Sequence, residues 1–289
     1  MASANHMEVA DMMCCASCGT AEVDDTACKS VRYCSVACQR EDRAKHKRAC
    51  KKRMTELRDE ILFRQPESSY RGDCPICLSP LPIDPKKCSM QTCCSKNICF
   101  GCFYTNRIRQ GSQVQGTCPF CRHPLPKTEA AAGILLMKRV KVNDPLALNQ
   151  VGARRLLDGD YEGAFEYLTK AVELGDVDAH YQLSVMYHEG NGVEKDEKKE
   201  LHHLEEAAIG GHPSARYNLG LHEGRNGRIE RAIKHWIIAA NHGHDASIKA
   251  LKRQYTQGRI SKENFAAALR AHQAAVDATK SPQRDAAPV

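Results

Sequence analysis

Cysteine is the residue with the most chemistry to offer in this chain. There are 16 in 289 residues, and all of them fall between Cys14 and Cys121. Their spacing groups them. The first group runs Cys15-xx-Cys18, Cys28-x5-Cys34, Cys34-xxx-Cys38, and closes on His46-xxx-Cys50. The second holds three CxxC pairs, Cys74/Cys77, Cys99/Cys102 and Cys118/Cys121, with Cys88, Cys93 and Cys94 between the first two. Ligands two or three residues apart are what a tetrahedral zinc ion takes from a tight loop or a helical turn. The start, MASANHMEVADMM, has neither a basic stretch nor an apolar core, so no secretory leader is expected. Without export, reduced thiols and metal binding are favoured over a disulfide framework. We expect an intracellular protein, with cytoplasm and nucleus unresolved.

The elements that must position these ligands follow from composition. Residues 1–13 are expected to be disordered. The first finger spans 14–64 and ends in a polar helical stretch from about Glu41 to Arg64, which would place His46 and Cys50 on one face. Gln65–Asp73 (QPESSYRGD) has Pro and Gly and is expected to be a linker. The second finger spans 74–128, and 129–143 is a connecting linker or helix. From 144 to 277 cysteine is absent and the chain repeats itself. The last stretch, 278–289, has no apolar pattern and is expected to be a disordered tail.

The repeats align on Ala147-LNQ-Val151, Ala179-HYQ-Leu183, Ala215-RYN-Leu219 and Ser247-IKA-Leu251. Their Val/Leu positions are 32, 36 and 32 residues apart. A period near ~34 with two short helices per unit marks a helical solenoid, in which each unit needs its neighbours to bury its apolar face. Small Ala residues sit where paired helices approach. Trp236 stands at the position of Leu168 and Leu204, which points to the core. The pattern carried by Ala179, Leu183, Tyr187, Gly190, Gly192, Val193, Asp196, Ala207, Ala208 and Gly211 resembles the Sel-like repeats, relatives of tetratricopeptide repeats. That resemblance implies a surface for a protein or peptide partner.

The string CKSVRYCSVACQ followed by H-xxx-C resembles the MYND zinc finger. By that resemblance Cys15, Cys18, Cys34 and Cys38 take one zinc. The second would take Cys28, His46, Cys50 and a cysteine three residues before Cys28. That position is Asp25. A carboxylate can ligate zinc, so either Asp25 (or Asp24) completes the site or the site is weak or empty. The basic run from Arg40 to Arg58 is interspersed with acids, and is read as a solvated helix face rather than a nucleic-acid patch.

The second group is similar to the RING finger in an all-cysteine form. That family is cross-braced. The resemblance assigns Cys74, Cys77, Cys99 and Cys102 to one zinc, and Cys93, Cys94, Cys118 and Cys121 to the other. Cys88 competes for one place in the second set. The resemblance also implies a partner, a ubiquitin-conjugating enzyme whose ubiquitin is positioned for transfer, a ligase activity that works by holding the reactants in geometry. Ile76, Pro119 and Phe120 would form the contact surface, and Arg122 would stand where active RING ligases place a bridging cation. Asn106 departs from the pattern, since some RING fingers have Trp there. The alternative is a non-catalytic scaffold built of the same zinc fingers and repeats.

Composition closes off other classes. No run of ~18 apolar residues exists, so no transmembrane helix is expected. No phosphate-binding glycine loop, HExxH or GxSxG string occurs. The formal charge of +7 invites nucleic acid, but residues 1–135 hold 20 Lys+Arg and 14 Asp+Glu, and so carry nearly all of it. A zinc bound by four thiolates nets −2, because ligating thiols lose their protons. Three such sites bring the fingers near neutrality and disfavour nucleic acid. The expected fold is small zinc-stabilised α+β fingers followed by an all-α solenoid, loaded with three or four zinc ions.

Overall fold

The computed structural model describes residues 24–25, 32–33, 40, 51–111 and 116–287. The chain divides into two compact units, 1–64 and 65–289. In the first, β1 (Asp24–Asp25) pairs antiparallel with β2 (Arg32–Tyr33). Helix α1 covers residues 51–62. On its surface Arg53 meets Glu60 at 3.0 Å and Glu56 at 3.5 Å. That part of the basic run is an exposed face paired with its own acids, an arrangement that adds little stability.

The second unit opens with a small cysteine-rich module. A single turn of 3-10 helix (Pro85–Lys87) leads into β3 (Cys88–Gln91), which pairs antiparallel with β4 (Lys96–Cys99) in the register Cys88↔Cys99. Ser95 takes the left-handed conformation (φ 54°) in the turn between them. Helix α2 (Phe100–Arg109) starts directly after Cys99, whose sulfur accepts from the Cys102 amide at the helix N-terminus. The module's own core is Cys74, Leu81, Ile98, Cys99 and Cys102, with Phe103 packed on it. So few apolar side chains make a marginal core, which is why such a module needs a metal.

Helix α3 (Glu129–Val140), capped by Thr128, leads into the solenoid. Four helix pairs follow: α4 (Pro145–Leu157) with α5 (Tyr161–Glu173), α6 (Val177–Glu189) with α7 (Glu197–Ile209), α8 (Pro213–Arg225) with α9 (Ile229–Asn241), and α10 (Asp245–Thr256) with α11 (Lys262–Ala278). The first helix of each of the first three pairs begins at an equivalent cap. Asp144, Asp176 and His212 accept hydrogen bonds from the amides of Ala147, Ala179 and Ala215, which satisfies donors that a helix start leaves open. Ala147, Ala179 and Ala215 are fully buried, and Leu168, Leu204 and Trp236 are buried on the second helices. Close approach is set by glycine: a Cβ on Gly152 would lie 2.7 Å from Leu168, and one on Gly220 would lie 2.3 Å from the Trp236 indole nitrogen. The period of 36 between the second and third units comes from the longer turn after α6, which Gly190 opens in the left-handed region (φ 78°).

A cysteine-rich part carrying short strand pairs, followed by a helical repeat solenoid, is the architecture expected from the sequence. Two expectations are corrected. Gln65–Asp73 is not a free linker. Gln65 accepts from Asn241 Nδ2 at 3.1 Å and lies 3.0 Å from His242 Nε2. Tyr70 meets the His212 ring at a tilt of 48°, with ring centroids 4.9 Å apart, and Arg71 pairs with Asp178. Gly211 (φ 90°) faces Tyr70 and Pro66, leaving room for the segment to lie on the turn. Nor is 278–289 a loose tail throughout. α12 (Pro282–Asp285) is capped by Ser281, and Ala287 is buried. Among the described residues no helix is long and apolar enough to cross a membrane.

Candidate metal centre

Eight of the nine cysteines of the second module converge into two groups of four. Cys74, Cys77, Cys99 and Cys102 form one, and Cys93, Cys94, Cys118 and Cys121 form the other; within each, the sulfurs lie within 4.8 Å of one another. Individual separations are 3.8 Å for Cys77–Cys99, 3.7 Å for Cys94–Cys118 and 3.3 Å for Cys93–Cys121. Four sulfurs at ~2.3 Å from a tetrahedral zinc stand about 3.8 Å apart, so both groups fit the ion in size and donor type.

Local sequence builds the groups. Two loops of the same shape supply half the ligands. In the first, the Leu78 amide donates to Cys74 O at 2.8 Å, the Cys74 amide to Ser79 O at 2.9 Å, and the Leu81 amide to Gly72 O at 3.0 Å. In the second, the Arg122 amide donates to Cys118 O at 3.0 Å, the Cys118 amide to His123 O at 2.9 Å, and the Leu125 amide to Gly116 O at 2.7 Å. Leu78 and Arg122 both take the left-handed conformation (φ 57° and 58°), which turns the chain so that two cysteines three residues apart face one point. The loops are written in matching strings, GDCPICLSPLP (72–82) and GTCPFCRHPLP (116–126). That duplication is visible in the sequence alone. The remaining ligands come from the β3–β4 hairpin: Cys93 and Cys94 from its turn, and Cys99 and Cys102 from the junction of β4 and α2. The pairing is interleaved, first pair with third and second with fourth.

Cys88 lies outside both groups. It opens β3, its Sγ lies 3.6 Å from Pro82 O, and burial pushes its thiol up to about 11. Cys77 differs: burial opposes its ionisation, but the Ser79 backbone and the Arg284 guanidinium outweigh it and bring its thiol down to about 6. Burial, and then the neighbouring sulfurs, hold Cys93 and Cys102 well above the ordinary thiol range. Four crowded thiolates require a cation between them, and a soft tetrahedral sulfur set suits zinc. With all four places taken by protein there is no open position for water, so such an ion would hold structure and activate nothing.

The other residues singled out from the sequence fall as follows. Cys15, Cys18, Cys28, Cys34, Cys38, His46 and Cys50 lie outside the described residues. Asp25 is in β1, but its side chain is not described. Ile76 and Phe120 occupy equivalent positions in the two loops and are exposed (42% and 36%); Pro119 and Arg122 are exposed beside Phe120. Asn106 is a tether: its Nδ2 donates to Thr117 O at 3.2 Å and its Oδ1 accepts from Gln110. Gln110 Oε1 in turn accepts from the Thr117 amide at 2.6 Å, so α2 is stitched to the second loop. Neither role has a motif that would reveal it.

The comparisons with known proteins agree with both outer parts of the chain. The family model of the MYND finger matches residues 15–50. The Sel1 repeat model matches residues 145–176, 177–212 and 213–244, which are the pairs α4–α5, α6–α7 and α8–α9. No curated protein matches the chain. Among solved structures, a Sel1 repeat protein from Oxalobacter formigenes is 29% identical, with 42% of this chain and 96% of that chain covered and a TM-score of 0.38. A protective antigen from uropathogenic Escherichia coli strains, displaying an SLR fold, is 20% identical, with 61% of this chain and 37% of that chain covered and a TM-score of 0.41. The MYND finger is a zinc finger, so zinc is the metal of this protein.

Proposed function

We propose that the protein is a zinc-dependent interaction scaffold, with its fingers as folded docking modules and its solenoid as a binding surface for partner proteins. The observation that carries this reading is the run of three Sel1 repeat matches over residues 145–244, joined to cysteine tetrads with no open ligand place. Stacked repeats expose an extended surface suited to peptides and protein segments. The test is crosslinking mass spectrometry on the full chain in cells. Intermolecular crosslinks should concentrate on residues 145–256 and persist in a Cys118→Ser variant. Crosslinks confined to the fingers would overturn the reading.

A specific observation favours a second, narrower reading for residues 74–128. The interleaved tetrads, the exposed Ile76, Pro119 and Phe120, and Arg122 just beyond the last cysteine support a RING-type module that engages a ubiquitin-conjugating enzyme. Arg122 would then steady the ubiquitin-charged enzyme, and the gain would come from orientation alone. Purified protein with ubiquitin, activating enzyme and a panel of conjugating enzymes should build chains that Arg122→Ala reduces without loss of zinc. No chains across the panel, or chains that survive Cys74→Ala, would leave the scaffold reading standing by itself. On the ligase reading the metal sites are Cys74, Cys77, Cys99 and Cys102, and Cys93, Cys94, Cys118 and Cys121. The MYND sites remain as proposed from the sequence, with Cys15, Cys18, Cys34 and Cys38 as one set and Cys28, His46, Cys50 and Asp25 as the other.

A further inference from the structure

We propose that the C-terminal segment Ser281–Ala287 is a clasp on the first tetrad, and that Arg284 is a positioning residue which slows metal loss from it. The inference rests on the reading of Cys74, Cys77, Cys99 and Cys102 as a zinc site. Arg284 joins the far end of the chain to the first cysteine loop. Its Nη2 donates to Cys77 Sγ at 3.3 Å and to Ser79 O at 3.1 Å. Its Nη1 donates to Pro80 O at 2.8 Å and to Thr279 O at 2.8 Å. One guanidinium thus closes the loop that presents Cys77 and holds its own segment in place. A planar fork of fixed donors is suited to that task, and a lysine is not.

The receiving surface is built for backbone rather than side chains. Gly101 lies between the ligands Cys99 and Cys102 on α2, and a Cβ there would sit 2.7 Å from Arg284 Cα and 2.7 Å from Gln283 O. No residue but glycine admits α12 at that distance. Electrostatics point the same way. Cys74 and Cys99 are fully buried and Cys102 is nearly so, and a zinc tetrathiolate there carries −2. Arg284 Nε is buried with no hydrogen-bond partner among the described residues. Leaving a buried charged group short of a partner is costly, and a dianionic cluster beside it offsets that cost.

The duplicated loop supplies an internal control. Residues 116–126 repeat the shape of 72–82, yet among the described residues no side-chain cation donates to Cys121, the counterpart of Cys77, and Cys121 is exposed. The first site is clasped and the second is open, so the two should lose zinc at different rates.

The experiment is pulsed alkylation of the zinc-loaded full chain with N-ethylmaleimide in the presence of EDTA, read cysteine by cysteine by peptide mass spectrometry. In the parent protein Cys118 and Cys121 should react before Cys77 and Cys99. Arg284→Gln should speed reaction of Cys77 and Cys99 about tenfold, the loss expected when a hydrogen bond to a charged group is removed, and leave Cys118 and Cys121 unchanged. Gly101→Ala should do the same from the other side of the contact. Ala favours a helix interior over Gly, so that effect would come from displacement of α12 and not from a weakened α2. If Arg284→Gln fails to fold, Gly101→Ala decides. Unchanged Cys77 and Cys99 rates in a folded, zinc-loaded variant overturn the clasp alone. Absence of zinc from both tetrads of the parent protein overturns the metal reading and the clasp together.

Discussion

The Arg71 guanidinium, just ahead of the first cysteine loop, lies 3.5 Å from the carboxylate of Asp178 in the first turn of α6. Asp178 also faces His212 Nε2 at 3.2 Å, and His212 is sandwiched by Tyr181 and Tyr70 at 4.4 and 4.9 Å. Burial works against ionisation of Asp178, but His212 and Arg71 outweigh it and hold its carboxyl below the usual range. Both partners of the pair are largely shielded, with side chains 15% and 26% exposed. Removing one partner of a pair between the surface and buried limits, which leaves the other charge unpaired, costs about 2 kcal/mol. Arg71→Ala should lower the stability of residues 65–289 by that amount in denaturant unfolding, and Arg71→Ala with Asp178→Ala should cost less than the two changes summed. Unaltered stability in Arg71→Ala would mean that the segment is not held on the repeats.

Metal removal should divide the second unit. The module of residues 72–126 has a five-residue buried core, three of whose members are ligand cysteines, whereas the solenoid buries its own alanines, leucines and Trp236. Chelation should abolish amide protection in β3 and β4 while α6 to α9 stay protected. Hydrogen exchange with mass readout checks this. Simultaneous loss of protection in the repeats would show that the solenoid depends on the metal.

Gly220 and Trp236 test the packing of the third repeat. A Cβ on Gly220 meets the indole ring, so Gly220→Ala should cost about 1–3 kcal/mol through overpacking. Trp236→Ala should cost about 3–5 kcal/mol through the void it leaves. Trp236 is the one tryptophan of the chain, and its Nε1 donates to Tyr217 O at 3.3 Å. Its fluorescence therefore reports directly on this site, and a red shift in Gly220→Ala before any global unfolding is the expected sign.

Acid should destabilise the repeats. Burial, and then the neighbours His180 and His202, bring His203 down to about 4. Burial, and then His212, bring His244 down to about 4. Their folded values lie below the ordinary histidine value, so the unfolded chain binds more protons between pH 6.5 and 4. The stability they allow is full above about pH 6.5 and is lost as pH falls through 4. Asp176 acts in the opposite sense over part of that range, because burial raises its carboxyl to about 6. Two histidines against one acid leave a net loss. Thermal unfolding across pH 4–7 should show a falling Tm, with a shallower slope in His203→Gln.

Periodicity made the solenoid legible and ligand spacing the cysteine pairs, because both are written locally. Val151, Leu183, Leu219 and Leu251 recur at repeat distance, and paired cysteines announce themselves three residues apart. The choice of Cys93 and Cys94 over Cys88 rested on the family resemblance and not on spacing. It depends on the β3–β4 turn, which turns Cys93 and Cys94 toward Cys118 and Cys121 and leaves Cys88 against Pro82. Residues 65–73 and 278–287 look like linker and tail because they are polar and aperiodic. What orders them is distant: Asp178 and His212 for one, Cys77 and Gly101 for the other. Single long-range contacts of that kind leave no pattern in the chain.

The clasp carries a consequence for how the protein is made. Domains fold from the N-terminus as they leave the ribosome, and Cys74, Cys77, Cys99 and Cys102 emerge long before Arg284 does. During synthesis of the repeats the first zinc site can gather its ligands but cannot be closed. Only chains translated through Arg284 acquire the finished site, so a protein truncated within α11 would carry the same cysteines and hold their metal less firmly.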